Sequence, residues 1–450
     1  MGQLTGRSDR TATDRAIWAL AVPALGALVA QPLYLLIDAS VVGTLGTASL
    51  AGLGAAGSVF SLIVGLCIFL AYATTSTVAR KVGASDWSGA VSHGLSGIIL
   101  GVGIGAVLAL IAWPAAAPLV DVLGVSSTVA PYAVAYLHAI CWSLPAVLAG
   151  MAGVGVLRGL QDTRTTLVVT VVVVSLNTLL CLLFVLRLGW GIRGSALATG
   201  IAETVQAAAY TAVLVGIARR HRVPLRPSGL GILGAARDGV PLFWRTLALR
   251  MVFVVAVAVA ARLGDADLAA YHVSFQVWML LALAADALAI AGQALLGLRL
   301  GARDREGARE VTERLVRHGF WLGIGLAVVV LVARPWLPEW FSHDATVQSL
   351  IGAALLVVAV QQPLAGPVFA LDGILIGAGD GRWLARAGTL MFAAFLPAAW
   401  LVLAQGLGVV GLWWALTWFM VIRGVLLWRR SRSNTWLVVG AVGAARGEPG

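Results

Sequence analysis

The sequence predicts an all-α, polytopic membrane protein with twelve transmembrane helices in two six-helix lobes, and three observations support this fold class. Of the 450 residues, 60% are hydrophobic and only 11% are charged, whereas soluble proteins carry about a quarter charged residues. Apolar runs of membrane-spanning length recur along the whole chain, and the chain repeats itself internally. The composition excludes a disordered chain and a conventional globular enzyme.

The candidate spans are the apolar runs between charged or Gly/Pro-rich breaks. They lie at 16–43, 48–77, 91–118, 129–156, 165–187, 193–218, 238–263, 268–297, 311–333, 347–375, 384–405 and 409–429. At 1.5 Å per residue each can cross a hydrocarbon layer of about 30 Å. The first run is longer than a signal peptide, so we expect it to be a retained span.

The basic residues concentrate in the loops that follow even-numbered spans. The two richest loops, after spans six and eight, carry Arg219, Arg220, Arg222, Arg226 and Arg237, and Arg299, Arg303, Arg305, Arg309, Arg314 and Arg317. The positive-inside rule then places both termini in the cytoplasm of a multi-pass cell-membrane protein. The formal charge of +11 therefore reports topology in a lipid bilayer and predicts no nucleic-acid partner.

The two halves of the sequence match at one constant offset. Val22-Pro23 matches Val240-Pro241, and the pattern Gly159…Asp162-x-Arg164 matches Gly377…Asp380-x-Arg382 with the same spacing between halves. Six spans per repeat is an even number, so the halves share one orientation in the membrane. We expect an N-terminal lobe at 1–222 (spans 1–6) and a C-terminal lobe at 223–450 (spans 7–12).

Asp38 is the clearest ionisable residue within a span. It follows Pro23 and Pro32, and it shares one helical face with Gln31 and Tyr34. Acids inside membranes are costly and mark proton or ion pathways by default. The alternative is that Asp38 lies near the outer end of its span and is solvated.

Other polar residues within spans extend the candidate site. Asn177, Thr199 and Glu203 in spans five and six join Asp38 as candidate ion-coupling residues, although Asn and Thr in helices also bond to neighbouring helices or to their own backbone. In the second half, Asp286 and Asp372 are candidates for the substrate cavity. Asp372 lies near a span end and has solvation as an alternative, while Arg245 and Arg250 are potential charge partners for either acid.

Other site types are not indicated. Cys67, Cys141 and Cys181 are single cysteines in apolar stretches, which predicts neither a metal site nor a disulfide framework. No G-K-[ST] sequence is present, which excludes a P-loop ATPase, and no D-D-x-x-D motif points to a membrane enzyme. Two glycine motifs, Gly97/Gly101/Gly105 and Gly373/Gly377, predict close helix packing within the chain.

Several motifs together resemble the multidrug and toxic compound extrusion (MATE) family, in its DNA-damage-inducible F-like branch. They are A-V-P at 21–23, Q-x-x-Y-x-x-x-D at 31–38, L-G-x-x-x-L-A at 45–51, R-G-x-x-D-T-R at 158–164, S-A-L-A-T-x-I-A-E at 195–203 and D-G-I-L-I-G-A-G-D at 372–380. Their order and spacing cover nearly all twelve spans.

The resemblance implies an ion-coupled exporter whose lobes surround a V-shaped cavity and which is a monomer. It implies that Asp38 takes part in proton or cation coupling and that Asp372 is the span-ten acid of the C-terminal lobe. The polar positions around Asp38 in the family match Gln31, Tyr34, Asn177 and Thr199. The chain departs from the family where many relatives carry a span-five aspartate, here Cys181, and where sodium-coupled relatives carry a span-seven glutamate.

These features predict a non-enzymatic antiporter without a cofactor. It would export amphipathic, cationic small molecules by alternating access, and both departures favour protons over sodium as the coupling ion. The alternative is a flippase for lipids or lipid-linked precursors of the same superfamily, which would require a wide, strongly basic cavity.

Overall fold

A computed structural model describes residues 5–226 and 229–440, and within them the protein is entirely helical apart from its connecting turns. The first half contains α1 (Thr5–Gly43), α2 (Thr47–Leu66), α3 (Phe69–Gly83), α4 (Trp87–Ala112), α5 (Ala116–Val122), α6 (Ala130–Cys141), α7 (Leu144–Gly159), α8 (Thr163–Cys181) and α9 (Gly191–Arg220). The second half contains α10 (Gly229–Leu263), α11 (Asp265–Gly301), α12 (Arg305–Ala333), α13 (Leu337–Phe341), α14 (Ala345–Gly377), α15 (Gly381–Gln405) and α16 (Gly408–Arg432).

The predicted all-α, membrane-spanning architecture is confirmed. Among the described residues, eleven helical stretches are long and apolar enough to cross a membrane, and α6 and α7, which meet at a 58° bend, make a twelfth if they form one span. Each predicted run overlaps one of these stretches. The third run, at 91–118, extends too far, because α4 ends at Ala112 and Pro114 in the following turn lacks the N–H that a continuing helix needs.

Two spans of the first half are interrupted, and their counterparts in the second half are continuous. The break between α2 and α3 falls at Cys67–Ile68, and the break between α6 and α7 falls at Trp142–Ser143. At the offset of the repeat, the same stretches correspond to the uninterrupted α11 and α14. Apolar periodicity does not distinguish the two cases, because both halves of a broken helix stay apolar.

The internal repeat extends to the turns between helices. The left-handed backbone of Ser85 (φ 60°) recurs at the equivalent position of the second half, Arg303 (φ 62°). In each case the next residue, Asp86 or Asp304, caps the following helix by accepting the backbone N–H three positions ahead, at 2.7 and 2.8 Å. These carboxylates satisfy donors that a helix start otherwise leaves unpaired.

The close approaches between helices repeat at the same offset. A Cβ on Gly101 of α4 would lie 2.6 Å from the carbonyl oxygen of Leu148, and a Cβ on Gly319 of α12 would lie 2.7 Å from that of Gly366. Only glycine permits such backbone contact between α4 and α7 and between α12 and α14. The predicted role of the span-three glycine motif in packing within the chain is confirmed.

The described helices group into two compact units. One contains residues from Gly26 to Val240, and the other contains the described residues up to Leu25 together with those from Pro241 onward. Both α1 and α10 therefore contribute to both units, and the two divisions lie close to equivalent positions of the repeat. The lobes expected at 1–222 and 223–450 stay a prediction about the sequence repeat.

Candidate functional site

Three helices of the unit at 26–240 bring polar side chains together in pairs spaced by one helical turn. These pairs are Tyr34 and Asp38 on α1, Asn177 and Cys181 on α8, and Ser195 and Thr199 on α9. Residues four apart lie on one helix face, so the three pairs form two stacked polar layers.

The first layer surrounds the Asp38 carboxylate, whose residue is only 3% exposed. The Ser195 hydroxyl donates to Asp38 Oδ1 at 2.7 Å, and the Cys181 thiol donates to the same oxygen at 3.1 Å. Both donors are neutral, and none of the ion pairs recorded among the described residues includes Asp38. The carboxylate is therefore buried without a compensating positive charge.

The second layer centres on the Thr199 hydroxyl. It donates a hydrogen bond to the Ser195 carbonyl at 3.1 Å and accepts one from Asn177 Nδ2 at 3.2 Å. It also lies 2.8 Å from the Tyr34 hydroxyl. Because the Thr199 proton is directed at the carbonyl, Tyr34 is the donor of that last bond. Asn177 Oδ1 is buried without a hydrogen-bond partner, so this layer retains one open acceptor.

A fourth helix also reaches this cluster. Tyr136 of α6 is 4% exposed, and its side chain lies close to Thr199 and Ser195 and within electrostatic range of Asp38. Sequence reasoning missed Tyr136, because a tyrosine among apolar residues is typical of a hydrophobic core. The Asp38 cluster thus joins α1, α6, α8 and α9.

Two predicted residues lie outside the hydrogen-bonded cluster. Glu203 is half-buried one turn beyond Thr199 on α9, and Gln31 is exposed on α1. Neither makes a hydrogen bond to another described residue. Gln31, Tyr34 and Asp38 share a helix face as expected, but only the last two contact α8 and α9.

The other unit contains a buried cluster of opposite charges around Asp372 of α14. Arg245 of α10 donates through Nη2 to Asp372 Oδ2, and Arg423 Nη2 of α16 lies 3.2 Å from the same oxygen. The Arg423 guanidinium also lies 5.1 Å from the centre of the Phe369 ring, and half-buried Asp286 of α11 attracts it electrostatically. Two arginines and two aspartates thus balance within the protein.

The sequence predicted part of this second cluster. Arg245 is a charge partner of Asp372 as expected, whereas Arg250 is exposed on α10 and is in none of the ion pairs among the described residues. Solvation of Asp372, the alternative considered from its position, is wrong because the residue is 8% exposed. Arg423 was missed, since it stands inside the last span and close to a run of basic residues at the helix end.

The comparison with known proteins decides the family. The family model MatE matches residues 23–183 and, separately, residues 241–401. The two matched segments have the same length and begin at equivalent positions of the internal repeat. The chain belongs to the MATE family.

Relatives of this MATE chain cover nearly its whole length. It is 30% identical to protein DETOXIFICATION 45, chloroplastic, of Arabidopsis thaliana over 95% of this chain and 81% of the relative. It is 28% identical to DNA damage-inducible protein F of Escherichia coli over 95% and 94%. The bent form of the Vibrio cholerae MATE transporter VcmN matches with a TM-score of 0.86 at 22% identity, covering 94% of this chain and 97% of that one.

As a MATE protein, the chain is a multi-pass membrane transporter of a multidrug efflux family and not an enzyme. Within this MATE protein the buried acids Asp38 and Asp372 have contrasting surroundings. Among the described residues, Asp38 accepts only neutral O–H and S–H donors, whereas Asp372 is held by two guanidinium groups. Only the first carboxylate is in a position to gain or lose charge without breaking an ion pair.

Proposed function

We propose that this MATE transporter exports cationic, amphipathic small molecules in exchange for protons and that Asp38 carries the coupling proton. The observation that supports this most directly is the neutral environment of the buried Asp38 carboxylate. A buried carboxylate without a counter-ion is costly, and protonation removes that cost. The charge of this site can therefore change with proton supply.

The hydrogen bonds indicate which oxygen takes the proton. Ser195 and Cys181 both donate to Oδ1, while Oδ2 receives no hydrogen bond from the described residues. A proton on Oδ2 leaves both existing bonds in place, so the neutral form fits the same pocket. Loss of that proton leaves Oδ2 as an unpaired buried anion that favours a different arrangement or a cationic ligand.

Protonation of Asp38 can be transmitted through the two polar layers. Ser195 links them, because its hydroxyl bonds Asp38 while its carbonyl accepts from Thr199. Thr199 in turn holds Tyr34 and Asn177. A change in charge at Asp38 therefore bears on the packing of α1, α8 and α9, and coupling requires only that proton and substrate favour different arrangements.

The donor set favours a proton over a sodium ion. A hard cation needs several oxygen atoms that present lone pairs, whereas Ser195 and Cys181 direct hydrogens at the carboxylate and a thiol is a poor ligand for a hard ion. In the other unit, the guanidinium groups of Arg245 and Arg423 already occupy the Asp372 carboxylate. An added cation there would have to displace one of them.

The open polar groups suggest the class of substrate. Glu203 is half-buried without a hydrogen-bond partner among the described residues, and it lies one turn from Thr199 on α9. Together with the Tyr34 ring and Gln31 it offers negative charge and apolar surface, which suits an organic cation. In the second unit Asp286 and Asp372 are balanced by arginines, so this cluster lacks the net positive charge that a flippase for pyrophosphate-linked lipids requires.

We infer that the functional unit is a monomer, because the clusters around Asp38 and Asp372 each lie within one compact unit of one chain.

The charge distribution supports an orientation with both termini in the cytoplasm. The loop arginines lie after even-numbered spans, which favours retention of those loops on the cytoplasmic side. Protons would then enter from outside while the substrate leaves.

Separate ion gradients test the proposal. The full chain is reconstituted into vesicles of phosphatidylethanolamine and phosphatidylglycerol, and ethidium transport is followed by fluorescence under a pH gradient or a sodium gradient alone. We expect transport to respond to the pH gradient and to collapse with a protonophore, while the sodium gradient has no effect. A response to sodium alone, or to neither gradient, would overturn the proposal.

A further inference from the structure

The unit that contains α12, α14 and α16 has a cavity that is lined by none of the residues of the acidic clusters. It has a volume of about 750 Å³, within the range of small-molecule sites. Its lining comes from the first half of α12, as far as Phe320, from the C-terminal parts of α14 and α16, and from the segment that follows α16. The start of α12 and the ends of α14 and α16 lie on the same side of this unit, so the cavity lies where these spans meet the membrane surface.

The rim of this cavity is basic. Arg309, Arg317 and Arg432 line it together with a single acid, Glu313, and all four residues are exposed. Arg317 Nη2 also lies 3.9 Å from Asp14 Oδ2, a long ion pair that leaves its other N–H groups available. The excess of positive charge on the rim favours an anionic ligand, in contrast to the cationic substrate proposed above.

Two of the arginines are held in position by neighbours. The Arg432 guanidinium lies 4.5 Å from the centre of the Trp428 ring, and Arg309 Nη2 donates to Asn434 Oδ1 at 2.7 Å. Arg309 uses one of its five N–H donors in the bond to Asn434. Arg432 contacts the ring of Trp428 and keeps all five of its N–H donors free of that contact. The remaining donors match the forked geometry of a phosphate group.

The segment after α16 is fixed against the unit and completes the rim. Trp436 is 1% exposed and donates through Nε1 to the Ser431 carbonyl at 2.8 Å, while the backbone N–H of Gly440 donates to the Leu300 carbonyl at 2.9 Å. Asn434 lies within this segment. The cavity is therefore a built feature of the unit.

Below the rim the lining is apolar and continues onto the side of the helices. Pro367 and Leu371 of α14 lie in the cavity with Phe320 and Trp428, which are 44% and 48% exposed. Trp428 lies near the end of α16, where aromatic side chains typically contact lipid at the membrane interface, and Phe320 lies midway along α12, where an exposed ring extends this apolar surface. A ligand that fills this cavity thus meets arginines at one end and hydrocarbon at the other.

We propose that this cavity binds one anionic phospholipid of the adjacent leaflet, with its phosphate at Arg309, Arg317 and Arg432 and an acyl chain along Phe320 and Trp428. Basic pockets between spans on the cytoplasmic side recognise anionic headgroups in this way. The site is distinct from the Asp38 cluster, so its test does not depend on proton coupling.

Native mass spectrometry of the full chain in detergent tests the proposal, with dioleoyl-phosphatidylglycerol and dioleoyl-phosphatidylcholine as probes. We expect one phosphatidylglycerol to bind at least about fivefold more tightly than phosphatidylcholine, from the attraction of each nearby arginine. The double variant Arg317→Gln/Arg432→Gln should lose that preference. Arg429→Gln, an exposed arginine of α16 outside the cavity, should retain it within about twofold.

The other outcomes contradict the proposal. Equal binding of the two lipids, or an equal loss of preference in Arg429→Gln and in the double variant, would indicate a diffuse charge effect. Displacement of phosphatidylglycerol by millimolar inorganic phosphate would mean that the cavity takes a free anion. The double variant has its own control for misfolding. Unchanged phosphatidylcholine binding and an unchanged thermal unfolding midpoint would show that its loss of preference for phosphatidylglycerol does not come from misfolding.

Discussion

Ser195 donates its hydroxyl proton to the carboxylate of Asp38 across 2.7 Å, although the two residues lie far apart in the sequence. The bond joins the first span to the sixth and places an O–H donor on a buried acid that lacks a positive partner. Removal of this hydrogen bond would destabilise the charged form of Asp38, because a hydrogen bond to an ionised group contributes about 1.5–3 kcal/mol.

Ser195→Ala should slow pH-driven ethidium efflux by about tenfold or more, because the ionised form of Asp38 loses its shorter hydrogen bond. The initial rate at a fixed pH gradient measures this. Ser143→Ala is the matched control: Ser143 is equally buried in the same unit, but its hydroxyl bonds the Ile140 carbonyl of its own chain segment. Equal rates for Ser195→Ala and wild type would contradict the assigned role of Ser195.

Cys181 should tolerate replacement by a hydroxyl donor better than loss of its donor. Cys181→Ser retains an O–H that can reach Asp38 Oδ1, whereas Cys181→Ala removes the 3.1 Å contact. We expect Cys181→Ser to transport at a rate close to wild type and Cys181→Ala to be slower by a few fold, since a thiol is a weak donor. A slower Cys181→Ser than Cys181→Ala would show that the thiol acts through packing alone.

Thr199→Val should lower the free energy of unfolding by about 1–3 kcal/mol, because it keeps the side-chain shape but leaves buried donors of Asn177 and Tyr34 without their acceptor. Thermal unfolding in detergent measures the loss. Thr211→Val is the control on the same helix, since the Thr211 hydroxyl bonds only the Ala207 carbonyl one turn earlier. A similar loss in both variants would remove the argument for a specific second layer.

Asp372→Asn should destabilise the protein by about 3–5 kcal/mol, because it leaves Arg245 and Arg423 buried without their shared carboxylate. Arg245→Met should cost less, since Asp372 keeps Arg423 as a partner. Arg250→Met, on the same helix but exposed, should have little effect. Unfolding midpoints of the three variants check this order, and an Arg245→Met that costs more than Asp372→Asn would contradict it.

Gly101→Ala should destabilise the contact between α4 and α7, because the new methyl group would meet the Leu148 carbonyl at 2.6 Å. The neighbouring Gly103→Ala has no atom within 4 Å of its new methyl and should be neutral or stabilising by about 0.5–1 kcal/mol, from helix propensity. Thermal unfolding distinguishes the two. Equal midpoints would show that the helices separate easily.

The sequence was sufficient for the fold because membrane spans depend on long apolar runs, which are visible without tertiary information. It also located the two acids, since Asp38 and Asp372 interrupt such runs. The turns at Ser85 and Arg303 follow the constant offset of the repeat and have the same left-handed backbone, because equal turn geometry requires equal spacing of the capping residues.

Apart from Arg245, the direct partners of these acids could not be predicted in the same way. Ser195 and Tyr136 are common residue types, and only tertiary packing shows which of them face Asp38. Arg423 was hidden by its position in the last span, close to the run of arginines at the end of α16. The helix breaks at Cys67 and Trp142 depend on packing and leave no mark in the apolar pattern.

Asp38→Asn provides the most direct test of proton coupling at this site. The variant keeps the size of the side chain and an oxygen that can accept from Ser195, but it cannot exchange a proton. We expect its ethidium transport under a pH gradient to fall to the level of protein-free vesicles, while its unfolding midpoint stays close to wild type. Transport by folded Asp38→Asn at the wild-type rate would contradict the account.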